Sequence, residues 1–422
     1  MHIQTDRALI PAATPSVRYL QVRISAPPAP APAGTPRPAA EVALVLNRSG
    51  SMGGSKFEMA RVAVQHAIRL LTPRDSLALV CYDDRVDALL ARTLASAEAK
   101  TLALDRLAVT DARGSTDLAG GWFKGAEELQ SAGASDTPRR VLLLTDGLAN
   151  HGITDPAELE AAAQSLRAQG VTTSTFGLGA DFDEALLSRL ASAGGGHFYF
   201  IEQASQIPDF FTSELGEALE VVARDASFEV TGPEGAVATL VNDLPTEAIP
   251  GGIRVRLGDL VADQELSFVV AVKIANPPAL GNGVEVTCRL SDRATALFNQ
   301  PMFVDWAVVT PADDAAQPVN QEVVRAFATA LTARALAAAL AHNRRADYDD
   351  TRRILGEAIE MLGRLGPDDQ VIAALIAQLT RDREALAHAL QPLELKRRHF
   401  ANYTISESRS ISGRAQRRPR AS

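Results

Sequence analysis

At 422 residues, with 42 basic and 51 acidic side chains and a net charge of −9, the chain is long for one domain and gives no general argument for nucleic-acid binding. Two cysteines, Cys81 and Cys288, exclude a disulfide framework and read as reduced core thiols of two different domains. Met1 to Asp6 has no basic segment leading into an apolar one, and no apolar run suggests a bilayer span, so a soluble, cytoplasmic protein with no membrane contact is expected.

Residues 17 to 25 alternate apolar and polar side chains and predict a half-buried strand. Pro27 to Pro38 is dense in Pro and Ala and reads as an extended linker. A lone strand is not stable by itself, so this one is expected to join a sheet beyond residue 225. Strand and helix then alternate. Strands are expected at 41 to 47, 76 to 82, 86 to 91 (an edge), 139 to 145, 171 to 177 and 197 to 201. Helices are expected at 55 to 71 with Ser55 as cap, 96 to 107, 117 to 132, 156 to 169, 183 to 193 and 205 to 223. This alternation predicts a doubly wound α/β unit, mainly parallel, with its ligand site at the carboxyl ends of the strands.

From Ser227 to Val309 the pattern becomes short alternating strands broken by Gly, Pro and Asp, which predicts a small antiparallel β-sandwich. If the strand at 17 to 25 completes it, the α/β unit is an insertion, with crossings near residues 35 and 225. After Pro318 three Ala- and Leu-rich helices predict a bundle whose stripes are core. The tail from Lys396 is basic and poor in apolar residues, which predicts a flexible segment free to meet an acidic partner. The expected divisions are 1–35, 36–225 (α/β), 226–315 (sandwich), 316–392 (helices) and 393–422 (tail).

One stretch organises the chain. Val42 to Leu46 is a buried strand that ends in Asn47-Arg48-Ser49-Gly50-Ser51, a turn that presents three alternating side-chain oxygens. Oxygen-only donors suit a hard divalent cation, Mg²⁺ above all. Thr116 opens a later helix, and Asp146 ends a second buried strand, Val141 to Thr145. The set Asn47, Ser49, Ser51, Thr116 and Asp146 resembles the metal-ion-dependent adhesion site of von Willebrand factor type A domains of bacterial type, over roughly residues 40 to 224. The family pattern is Asp-x-Ser-x-Ser, a distant Thr and a distant Asp. Only Asn47 departs from it, where the family has Asp.

The resemblance implies that Ser49, Ser51 and Thr116 bind Mg²⁺ (or Mn²⁺ or Ca²⁺) directly, with Asn47 and Asp146 acting through water. It implies a non-enzymatic adhesion or scaffold module that grips an Asp or Glu of a protein partner, with metal binding weakened by the uncharged Asn47. The alternative is a non-catalytic subunit or substrate adaptor of a ring-forming ATPase. Asp83 and Asp117 read as solvated loop acids. Gly177 to Asp181 reads as a tight turn, without the glycine spacing of a phosphate loop. His151 and His197 have no zinc partners at the right spacing, and no nucleophile elbow is present.

Overall fold

The computed structural model describes residues 1–28, 39–131, 137–146, 150–218, 220–293, 297, 300–366 and 368–417. Most of the expected linker, Gly147 and the last residues of the tail lie outside that set. Three strands come first, β1 (His2–Thr5), β2 (Leu9–Pro11) and β3 (Ser16–Ser25). The α/β unit follows as β4 (Glu41–Asn47), α1 (Ser55–Leu70), β5 (Ser76–Tyr82), β6 (Val86–Leu94), α2 (Ala97–Ala108), α3 (Leu118–Gln130), β7 (Arg139–Thr145), α4 (Pro156–Ala168), β8 (Val171–Leu178), α5 (Glu184–Ala193), β9 (Gly195–Ile201) and α6 (Ile207–Ala218). Next come β10 (Val221–Thr231), β11 (Ala236–Leu240), β12 (Thr246–Ile249), β13 (Gly252–Val261), β14 (Glu265–Ile274), β15 (Gly283–Ser291) and β16 (Met302–Val309). The chain closes with α7 (Pro311–Ala316), α8 (Gln321–Arg344), α9 (Tyr348–Leu365), α10 (Gln370–Ala385) and α11 (Pro392–Ser406).

The central sheet has the order β6-β5-β4-β7-β8-β9. Its neighbours are parallel except β6, which runs antiparallel to β5. Strands β4, β5 and β7 are buried at every residue, which is why they read as continuous apolar runs. Val42, Leu44 and Leu46 pack into the core beneath α1 and α6, whereas Ala43 and Val45 face α3 and α4. Helix α3 comes close because Gly125 has no Cβ; one there would lie 2.3 Å from Val45 Cγ2. The chain order reverses between β4 and β7, so the crevice at their carboxyl ends is the switch point of the sheet.

The sandwich encloses a second core. One layer is β1-β3-β14-β11 and the other β12-β13-β10-β15-β16-β2. Strand β3 pairs along its full length with β14, from Ser16↔Ile274 to Ser25↔Glu265. The α/β unit is therefore inserted in the sandwich, between β3 of one layer and β10 of the other. Inward-facing Leu20, Val22, Phe228, Val230, Phe268, Val270, Val286 and Trp306 fill the space between the layers. Cys81 and Cys288 are free and buried in different cores.

Helix α8 lies on the outer face of the β3–β14 layer, with Tyr19 and Phe327 ring centroids 4.0 Å apart, and α9 and α10 pack against it. Helix α8 corrects one expectation: its 24 residues are long and apolar enough to span a bilayer by length and composition, and 67% of that apolar window is buried inside the protein. The helix expected at 205 to 223 is corrected too. It ends at Ala218, and β10 begins at Val221 because this segment joins the sandwich.

The largest correction is the tail. The expected flexible segment from 393 instead forms α11, and Phe400 and Tyr403 enter the core of the α/β unit. Phe198 stacks edge-on against both, with centroids 5.8 and 5.6 Å away. The positive charges that argued for disorder find acids within the same chain. Lys396 pairs with Glu184, Arg397 with Glu202, Arg398 with Asp382, and Arg409 with Glu217. An acidic partner for these residues is thus internal.

Candidate metal centre

Parallel pairing sets the site. Leu46 lies opposite Leu144, and one step further Asn47 Nδ2 donates to Thr145 Oγ1 at 3.1 Å. The same nitrogen lies 3.4 Å from Asp146 Oδ1, while Asn47 Oδ1 accepts from the Ser49 N–H at 2.7 Å. The amide orientation is fixed by its partners: its oxygen faces a donor and its nitrogen faces acceptors. Ser49 Oγ and Ser51 Oγ are 3.1 Å apart, and Ser51 Oγ donates to Asp146 Oδ1 at 3.0 Å. Asn47, Ser49, Thr116 and Asp146 are buried, and Ser51 stands at the mouth.

Thr116 joins through the backbone of its loop. Gly50 N–H donates to Gly114 O at 3.0 Å, which ties the serine turn to that loop. Gly114 needs its lack of Cβ, since its φ is +68° and a Cβ would meet the Asp84 carboxylate. The Thr116 carbonyl accepts from the His151 N–H at 3.1 Å. Asp117 caps α3 through Gly120.

Asp83 was expected to be a solvated loop acid, and the structure corrects this. It is fully buried and accepts from Arg48 Nε at 2.9 Å, Arg113 Nε at 2.8 Å and the Arg85 N–H at 2.7 Å. Burial alone would raise its pKa; Arg113, the Arg85 N–H and Arg48 outweigh that and hold it below the usual carboxylate range. Its charge brackets the serine turn and is already matched by arginines.

Two residues that matter at this site were missed. Lys56, the second residue of α1, donates to Asp146 Oδ2 at 2.9 Å and reaches the Ser51 carbonyl at 3.3 Å. Its ammonium also pairs with Asp181, in the turn after β8. Burial disfavours the ammonium, but hydrogen bonds to Asp181 and Asp146 raise its pKa above the ordinary lysine value. A signal was present in the sequence: a lysine in a first helical turn opposes the helix dipole and needs a compensating acid. Ser55, the expected cap, is itself helical, and Gly54 takes the cap position without a side-chain bond.

The hydroxyls and Asp146 are donors of the type a small hard cation takes. The set as a whole does not fit one. Its single buried carboxylate has both oxygens in use, Oδ1 by Ser51 and Asn47 and Oδ2 by Lys56. Asp146 and Lys56 already cancel in charge, so a divalent ion would have to evict the lysine.

His151 is exposed, and His197 bonds to Glu214 at 3.1 Å and to Arg409 at 2.8 Å, which is a structural role. Among the described residues, His342, Asp347 and Asp350 form another close group of His and acids. There Asp347 caps α9 and holds His342 at 2.8 Å, which accounts for the cluster.

A six-stranded doubly wound sheet with a serine turn, a threonine loop and an aspartate at its switch point defines a von Willebrand factor type A domain, and the model of that family matches residues 41–213. The chain carries such a domain, a class that mediates protein–protein interactions. It is similar to the uncharacterized protein YfbK of Escherichia coli K12, 30% identical over 196 residues, which are 46% of this chain and 34% of that protein. It is also similar to the uncharacterized protein sll0103 of Synechocystis, 29% identical over 234 residues, 53% of this chain and 54% of that one. The chain thus spans only a third to about half of these relatives' lengths. A solved von Willebrand factor type A structure from Catenulispora acidiphila superimposes with a TM-score of 0.68 at 20% identity, covering 99% of this chain and 97% of that one, so the fold is shared throughout.

Proposed function

We propose that this chain is a non-catalytic protein-binding module that receives an acidic residue of a partner on the face formed by Ser49, Ser51, Thr116, Asp146 and Lys56. The observation that carries this reading is the convergence of hydroxyls and a charged ammonium at the switch point, with Ser51 exposed at the mouth. A divalent cation such as Mg²⁺ is not required for the grip, because Asn47 brings no charge and Lys56 holds Asp146. An ATPase adaptor would present substrate on this same face and would need a second polypeptide for the motor.

The test is an array of defined peptides carrying Asp or Glu, each paired with its Asn or Gln counterpart. Acid peptides should be retained over their amide counterparts, and Ser51→Trp should abolish the difference by blocking the mouth. Equal retention of acid and amide peptides would contradict the reading.

A further inference from the structure

We propose that the Lys56 ammonium is the resident cation of this site, taking the electrostatic place of a divalent ion, so that an acidic partner is bound through a charge carried by the protein and without metal. This deepens the docking role proposed above and rests on it for the identity of the ligand.

Three independent features converge on Lys56. Its methylene stem lies in a slot made by Gly179, whose φ is +75°, and a Cβ there would come within 3.1 Å of Lys56 Cε. A left-handed glycine facing the stem leaves room for the lysine. Its nitrogen has fixed partners on the inner side, Asp146 Oδ2 at 2.9 Å and the Ser51 carbonyl at 3.3 Å. Finally, Asn47 donates to Asp146 where an aspartate would repel it. A site with Asp at 47 would carry two buried carboxylates, more negative charge than one ammonium balances. With Asn at 47, the inner part of the site holds one negative charge, Asp146, against one positive charge, Lys56.

The outer side of the ammonium shows where a ligand enters. The Lys56 side chain is 22% exposed, and its third partner is Asp181, 67% exposed in the turn after β8. Asp181 is an internal acid on the solvent side of the cation. A partner's carboxylate would displace Asp181 from the ammonium, and the freed Asp181 side chain would turn to solvent. Binding of this kind is weakened by salt and indifferent to chelators.

The test titrates Mn²⁺ calorimetrically into the full chain and into Lys56→Met, Asn47→Asp and the double variant N47D/K56M. Met keeps the apolar stem beside Gly179 and removes only the charge. The double variant should bind Mn²⁺ at least tenfold more tightly than the wild type and gain melting temperature from it, whereas the wild type should gain none. Lys56→Arg, which keeps the charge, should exclude the ion as the wild type does. Equal Mn²⁺ affinity in the wild type and N47D/K56M would overturn the proposal.

Acid-peptide retention is then compared in EDTA and in Mg²⁺. Equal retention in both, lost in K56M and increased in Asp181→Asn, is expected. Retention that requires Mg²⁺ would overturn the proposal. Failure of every acid peptide, with the Mn²⁺ result as expected, would instead remove the docking role and leave Lys56 as the cation of the site.

Discussion

Asn47 differs from an aspartate only by an amide nitrogen in place of an oxygen, and its hydrogen bonds make that difference matter. Its amide nitrogen serves Thr145 and Asp146, both fully buried. Asn47→Asp turns a donor into an acceptor beside a buried carboxylate. Loss of the bonds and the added repulsion should cost about 1–3 kcal/mol in EDTA. Thermal melting should show that loss, and Mn²⁺ should restore part of it. No loss in EDTA would mean that the amide is not held as described. A second residue-scale expectation concerns Glu407, near Ser192 where α11 meets α5. Burial pushes its carboxyl from 4.5 up to about 7, with Asp243 adding to the rise and Arg409 and Ser192 opposing it. The folded state thus binds a proton that the unfolded state releases above about pH 4.5. This group therefore favours folding at low pH, and its contribution is lost as pH rises through about 7. Glu407→Gln fixes the neutral form, so its melting temperature relative to wild type should increase between pH 5 and pH 8. A difference independent of pH would contradict the assignment.

At the scale of elements, α11 departs most from what its composition suggests. Phe400 is packed among Phe198 and Phe210, so Phe400→Ala should destabilise the protein by about 3–5 kcal/mol, read from denaturant melts. A change below about 1 kcal/mol would mean that the helix is only laid against the surface. The contrast with β4 and β7 explains what was legible. Those strands are buried on both faces, so Val42 to Leu46 and Val141 to Leu144 announce themselves by composition alone, and the site residues at their ends were found with them. In α11 the apolar anchors are Leu395, Phe400 and Tyr403, set among Lys396, Arg397 and Arg398, with Arg409 beyond the helix end. Of their acids, Asp382 stands one helix earlier, but Glu184, Glu202 and Glu217 belong to the distant α/β unit, and no local pattern reveals such long-range charge pairing. For Lys56 the first-turn position is legible but its partners are not, because Asp146 and Asp181 come from two later turns.

At the scale of the whole molecule, the chain's two ends hold the inserted domain in place. Strand β3 enters the sandwich before the insertion and β10 re-enters after it. The segment after α11 then clamps both units. Arg409, 5% exposed, pairs with Glu217 of α6, Ala415 N–H donates to Glu217 at 2.8 Å, and Gln416 O accepts from Glu265 of β14 at 2.8 Å. Burial raises and Arg409 lowers the Glu217 pKa, with the net below the usual range. Arg409→Met should leave the buried Glu217 carboxylate without its counter-charge and cost about 3–5 kcal/mol, seen as a lower melting temperature of the full chain. An unchanged melting temperature would show that the clamp is not part of the fold.

The most direct measurement is a crystal structure of the wild-type chain grown in excess MnCl₂, with anomalous scattering recorded at the manganese edge. The expected map has no manganese peak among Ser49, Ser51, Thr116 and Asp146, and Lys56 Nζ rests on Asp146 Oδ2. A strong peak at the serine hydroxyls, with Lys56 swung out to solvent, would contradict the assignment of Lys56 as the cation of this site.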